Sequence, residues 1–348
     1  MSQVLVIRLS ALGDVAMLIP VLYSVASHYP SDRFILLTKK PFIGIFENKP
    51  ENVRIIPVFT QGKHKGIRGL FRLINEMAKE NPDRIADMHN VLRSRQIRYF
   101  FRLKGEKIAV INKGRKEKKA LTRFRNKELH PLETSIERYH RVFTGLGYDF
   151  PIDFKSIYAE KIPDYTPINS FAGKKENVWI GIAPFAKHPG KIIPHETMRK
   201  VISLLLVGDV RIFLFGGRDE RIILEEWAHE DKRIQLPPDS FSFSEELLLM
   251  SRLDVMISMD SGNMHLASLV GIPVISAWGA THPFAGFYGY HQDPAWAVQI
   301  DLSCRPCSVY GNKPCFRKDY ACLTRITPEM IAEKVHTLLQ KKNDKKEE

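Results

Sequence analysis

Residues 257–283 read ISMDSGNMHLASLVGIPVISAWGATHP, and the order of apolar and turn residues in them sets the architecture. The apolar run that begins after Asp254 ends at Asp260-Ser261-Gly262. Leu266, Leu269 and Val270 then recur at the spacing that covers one face of a helix. Gly271 stops that helix, and Ile272 to Ala277 read as a second buried strand. Strand, tight turn, helix, strand is a βαβ unit, the building block of a parallel sheet.

The turn is where chemistry is expected. Asp260 and Ser261 are good N-cap residues, and Gly262 lets a ligand approach the backbone closely. A helix start offers unpaired N–H groups and partial positive charge, which suits a pyrophosphate. His265 falls in the first helical turn and can add a proton or a hydrogen bond.

The chain opens on the same theme. Gln3–Leu9 (QVLVIRL) is an apolar strand interrupted only by Arg8, and SALGDVAMLIPV begins a long helix near Asp14. No G-x-G-x-x-G fingerprint follows the strand, which argues against a nicotinamide dinucleotide. Asp14 stands at the carboxyl end of strand one, where open α/β sheets hold ligands. It is equally the type of acid that a helix's first turn favours by roughly 0.3–1 kcal/mol.

Strands are expected at 33–37, 53–58, 84–88 and 107–111, with helices at 42–47, 67–79 and 91–103. Arg93, Arg95 and Arg98 follow the fourth strand on a helix start. Two basic stretches, 61–72 and 113–127, read as solvated loops that overhang the strand ends; the second has eight basic residues and one acid, Glu117. A proline-punctuated linker (151–177) separates a first domain, 1–160, from a second, 175–348. The second repeats the strand-helix rhythm from Val178, closes with an amphipathic helix at Pro328–Leu339 that is a candidate to pack back on the first domain, and ends in a frayed KKNDKKEE tail. Two similar Rossmann-like domains facing a cleft are the expected plan.

Composition agrees with this and narrows the partners. Hydrophobic residues make up 44% of 348 residues, enough for two ordinary cores. No apolar run reaches membrane-spanning length and none resembles a signal peptide, so a cytoplasmic protein is expected. Residues 1–150 hold 28 Lys+Arg against 14 Asp+Glu, and the remaining residues are nearly balanced. Such a half meets something anionic: nucleic acid, a membrane face or an acidic substrate. Nucleic acid is disfavoured, because no RNA or DNA module is present and aromatics do not interleave with the charges. Cys304, Cys307, Cys315 and Cys322 have the spacing C-x2-C-x7-C-x6-C, which admits Zn²⁺ or a reduced loop; with no second C-x2-C pair, no metal is assigned.

Taken together, VIRLSALGDVAMLIPV, the D-S-G-N-M-H element at 260–265 with its GIPV strand and WGATHP segment, and K-I-I-P at 191–194 resemble the ADP-heptose:lipopolysaccharide heptosyltransferases, glycosyltransferase family 9. The C-x-P-C pair and the ITPE start of the last helix fit as well, so the resemblance runs in order along nearly the whole chain. It implies a GT-B fold with the acceptor on the N-terminal domain and the nucleotide-sugar on the C-terminal one.

The resemblance also implies roles. Asp14 becomes the general base for the acceptor hydroxyl in an inverting transfer of heptose from ADP-heptose to the Kdo/heptose inner core. Lys191 neutralises the departing ADP. Ser261, Gly262 and Asn263 offer amides to the pyrophosphate, Asp260 and His265 position phosphates and sugar, Glu220 contacts the ribose, and Lys187 does phosphate work. Gly13, Arg93 and Arg95 lie on the acceptor side. No cofactor beyond the donor, no metal and no nucleic acid are implied. The partners expected are the nucleotide-sugar, an anionic lipopolysaccharide precursor and the inner face of the inner membrane, with the enzyme a monomer. Ile193 stands where the family usually has Trp and His282 where it has Asp. These departures keep open a second expectation, a GT-B transferase using a different nucleotide-sugar for a cell-surface glycan.

Overall fold

Alternating apolar strands and one-sided helices give two separate parallel sheets in the computed structural model, which describes the backbone of residues 1–347 and side chains as far as Asp344. In chain order, β1 (Gln3–Ile7), α1 (Leu12–Ala16), α2 (Ile19–His28), β2 (Arg33–Lys39), β3 (Val53–Val58), α3 (Gly66–Lys79), β4 (Arg84–Asp87), α4 (Leu92–Leu103) and β5 (Lys107–Val110) come first. Then come α5 (Arg115–Leu121) and α6 (Ser135–Gly145). The expected long first helix is broken. Pro20 has no N–H to give to the carbonyl four residues back and its ring crowds that position, so α1 ends and α2 restarts after Leu18. Lys40–Ile45 is a 3₁₀ turn rather than an α-helix.

The first unit comprises Met1–Lys113 and Glu133–Lys161. Its strands are all parallel in the order β3-β2-β1-β4-β5. The order reverses between β1 and β4, so the chain ends leaving these two strands flank the crevice where such sheets bind ligands. Leu70, Leu73, Ile74 and Met77 of α3 and Ile97 and Phe101 of α4 pack on Leu5, Ile7, Ile35 and Ile85 of the sheet. Thr134 caps α6 by accepting from the Glu137 amide at 3.1 Å.

The second unit continues with α7 (Thr166–Ala172), β6 (Val178–Ala183), α8 (His195–Leu205), β7 (Val210–Leu214), α9 (Arg221–Ala228), β8 (Ile234–Gln235) and α10 (Phe243–Met250). It is completed by β9 (Val255–Met259), α11 (Gly262–Leu269), β10 (Val274–Trp278), β11 (Ala297–Gln299), α12 (Ala321–Thr324) and α13 (Pro328–Glu347). The six strands run parallel in the order β11-β10-β9-β6-β7-β8, with the reversal between β6 and β9. The linker expected at 151–177 carries α7, which packs against α10.

Three expectations are corrected here. Residues 113–127 are not a solvated overhang of the first domain: Gly114–Leu132 belongs to the second unit and carries α5. Leu121 and Leu132 pack with Ala285, and the buried Lys118 ammonium lies 4.0 Å from the centre of the Phe287 ring. The last helix, a candidate for the first domain, packs on α8 and β10 and gives Ile331, Ala332, Val335 and Leu338 to the second core. It also runs on to Glu347 instead of fraying after Leu339, while Glu348 lies outside the described residues. Among the described residues no helix is long and apolar enough to cross a membrane.

Candidate functional site

At the reversal point of the first sheet, β1 delivers Arg8 and α1 delivers Asp14. Arg8 Nη2 lies 2.6 Å from Asp14 Oδ2, with the guanidinium buried at 6% exposure and the carboxylate open at 29%. Arg8 Nη1 donates to the Met88 carbonyl at 2.7 Å, which ties it to the end of β4. Asp14 Oδ2 accepts from the Ala11 amide at 3.3 Å, and the Tyr139 hydroxyl donates to the Asp14 carbonyl at 3.1 Å. One oxygen edge is thus held from beneath while the carboxylate reaches solvent. His89, just past β4, accepts from the Leu9 amide through Nδ1 at 3.4 Å. Burial first, then Arg8 and Lys113, push its imidazole down to about 3, so it stays neutral.

The second sheet repeats the arrangement at its own reversal point. Lys191 ends a 3₁₀ turn (Pro189–Lys191) after β6, and Asp260 directly follows β9. Lys191 Nζ lies 2.8 Å from Asp260 Oδ2, with the lysine 15% and the aspartate 5% exposed. The turn is packed too tightly for any side chain at Gly190. A Cβ there would lie 2.7 Å from the Gly311 carbonyl oxygen, and one at Gly311 would lie 2.6 Å from Lys191 Cγ. Next to Asp260, Ser261 is the N-cap of α11 but makes no side-chain cap hydrogen bond; its Oγ sits 3.2 Å from that of Ser258. The first amides of α11, at Gly262, Asn263 and Met264, therefore suit an external acceptor. His265 is buried beneath this end. His188 is lowered by burial and by Lys187 and Lys191, which marks the loop as electropositive.

Residues 70–315 match the family model described as glycosyltransferase family 9 (heptosyltransferase). The chain belongs to that family. Similar proteins include the lipooligosaccharide heptosyltransferase 2 of Campylobacter jejuni, 25% identical over 341 residues and covering 94% of this chain and 96% of the relative. The solved glycosyl transferase family 9 protein from Veillonella parvula superposes with a TM-score of 0.75 at 18% identity, covering 98% of each chain. The E. coli ADP-heptose lps heptosyltransferase II superposes at 0.71 and 16% identity, covering 98% of this chain and 99% of that one. These likenesses give this family 9 chain the GT-B fold, two Rossmann-like units in sequence.

Other expected site residues fall into place less evenly in this family 9 fold. Gly13 and Asp14 share α1. Lys187 is exposed in the loop before Lys191. Glu220 accepts from the Gly217 amide at 2.6 Å, so its carboxylate closes its own turn after β7. Arg93 donates to the His64 carbonyl at 2.7 Å, and Arg95 to Asn90 Oδ1 at 3.1 Å. Arg98 pairs at 2.8 Å with the fully buried Asp87, which also accepts the His89 and Asn90 amides. Ile193 is buried in the second core, and His282 Nδ1 accepts from the Phe284 amide at 3.1 Å. Both departures from the family's usual residues are thus taken up by packing and a turn.

The four cysteines are free thiols lining one small pocket with Arg305 and Tyr320. Burial raises Cys307 and pushes Cys322 up to about 11, so both are neutral thiols. Among the described residues no three His, Cys, Asp or Glu side chains are gathered as a metal's ligands. Sequence reasoning missed Arg8 and His89. The signal for Arg8 was present as the one charge in an apolar strand; nothing local marks His89.

Proposed function

We propose that this family 9 enzyme moves a heptose from ADP-heptose to the Kdo/heptose inner core of lipopolysaccharide with inversion at the anomeric carbon. The observation that supports this reading best is Asp14: an open carboxylate at a sheet reversal point, oriented by a buried arginine. In the proposed step Asp14 takes the acceptor hydroxyl's proton as that oxygen bonds to the anomeric carbon, and the bond to the ADP phosphate breaks on the opposite side. A positioned base of this type contributes about 10²–10⁴ in rate. Lys191 and the α11 amides at Gly262 and Asn263 receive the charge that develops on ADP, with Lys187 adding positive potential. Asp260 holds Lys191 at 2.8 Å, so its role is to position the ammonium. His265 supports the helix start from below.

The donor is proposed from the likeness to the E. coli ADP-heptose lps heptosyltransferase II, and the acceptor from the lipooligosaccharide heptosyltransferase of Campylobacter jejuni. No resident cofactor or metal takes part in the scheme. The enzyme is proposed to work as a monomer in the cytoplasm, peripheral to the inner face of the inner membrane, where an anionic precursor displays its sugars. The test is thermal stabilisation by ADP, UDP, GDP and CMP, then turnover with ADP-heptose and a Kdo-bearing acceptor. A ligand that binds only the native state raises its stability. Selective protection by ADP with ADP released on adding acceptor is expected; protection by UDP or GDP alone would move the chain to a different donor.

A further inference from the structure

We infer that the outer face formed by α3 and α4 of the first unit is a docking surface for an anionic lipid bilayer. Both helices bury one side on the same sheet and pack against each other. Their outer sides carry large apolar residues: Ile67 and Phe71 on α3, and Leu92, Tyr99 and Leu103 on α4, with exposures from 61% to 74%. Ile67 and Phe71 are one turn apart, and Leu92, Tyr99 and Leu103 follow the i, i+7, i+11 spacing of a single stripe. One exposed apolar side chain is ordinary, whereas here two on α3 and three on α4 stand out of the same two-helix layer.

The charge around the patch selects the occupant. Exposed Lys63, Lys65, Arg68 and Arg72 surround the α3 residues, and exposed Arg95, Arg102 and Lys104 border the α4 stripe. α4 contains four arginines and no acid. The acid within α3, Glu76, is paired with Lys63 at 3.1 Å and with His64 at 3.2 Å. Long cations flanking aliphatic and aromatic side chains fit a headgroup layer, where the stems lie along the acyl boundary and the charges meet phosphates. A nucleic acid would leave the Leu and Ile side chains without a partner. α3 and α4 begin where β3 and β4 end, so Ile67, Phe71 and Leu92 lie toward the edge of the sheet that carries Asp14.

This inference rests on the peripheral placement proposed above and adds the face that makes the contact. Flotation of the full chain with phosphatidylcholine vesicles, with and without phosphatidylglycerol, tests it; neither lipid carries a sugar acceptor, so failure here and failure of the transfer reading are distinguishable. Binding is expected only with phosphatidylglycerol, weakened but not abolished by salt. Phe71→Ser with Tyr99→Ser should weaken binding by roughly tenfold per side chain. Arg68→Gln with Arg72→Gln should weaken it by about fivefold per charge. Both double variants should keep the wild-type melting temperature and nucleotide protection, because the altered side chains are exposed. Absence of flotation with anionic vesicles would overturn the inference, as would binding that neither double variant weakens. Capture of RNA in place of vesicles would reassign the face and overturn it too.

Discussion

The two sheet reversal points carry the same pair of charges turned over. In the first unit the cation is buried and the acid is open: Arg8 6%, Asp14 29%. In the second the acid is buried and the cation is the more open partner: Asp260 5%, Lys191 15%. The buried member cannot meet a substrate; it fixes the one that can. One unit therefore presents a carboxylate, fit to accept a proton, and the other an ammonium, fit to stabilise a leaving phosphate. Chemical division of labour follows from which half of an ion pair faces out.

The first way to break this comparison is Asp14→Asn. Turnover should fall by about 10²–10⁴ while ADP protection in a thermal melt is unchanged. Retained turnover would remove Asp14 as the base and leave its pair a structural feature.

Lys191→Ala should act on the other side. A loss of about 10²–10³ in kcat/KM is expected, together with weaker ADP binding. It also strands the buried Asp260, with a stability loss of about 3 kcal/mol. Adding Asp260→Asn should restore the melting temperature but not the turnover. Recovery of both would assign the lysine to folding alone.

The smallest effect sharpens the comparison through two neutral histidines, one in each unit. His89 is held at about 3 and His282 at about 4, in both cases chiefly by burial. Unfolded histidine protonates near 6.5, so the unfolded chain binds a proton that the folded chain refuses. Stability is therefore lost as pH falls below about 6.5, by about 2 kcal/mol per ring at pH 5. Urea unfolding of His89→Gln and His282→Gln at pH 7.5 and 5 should each show a shallower acid loss than the parent. An unchanged slope in one variant would remove that histidine from the acid loss.

Much of this was legible because it is local. The β1-turn-α1 and β9-α11-β10 signals depend on apolar periodicity and a few turn residues, and Asp14, Asp260 and Ser261 stand at strand ends that the pattern marks. What was illegible is tertiary. Lys118 reads as one more surface charge until Phe287 covers it. Ser261 reads as a cap, yet its hydroxyl turns to Ser258. Strands β8 and β11 have two and three residues, too short for any alternation to show. Glu220 accepts the Gly217 amide of its own turn, a bond that nothing in the residues around it announces.

The allegiance of Gly114–Leu132 bears on how the protein is made. The ribosome releases this segment before almost all of the unit it joins, because its contacts at Phe284 and at the carbonyls of Ser303, Cys304 and Pro306 come far later. The first unit can close once Lys161 has emerged, with the segment looped out and waiting. A protease cut between Lys161 and Ile162 would then leave two pieces held together by that loop, so an intact apparent mass on a sizing column would not report an intact chain.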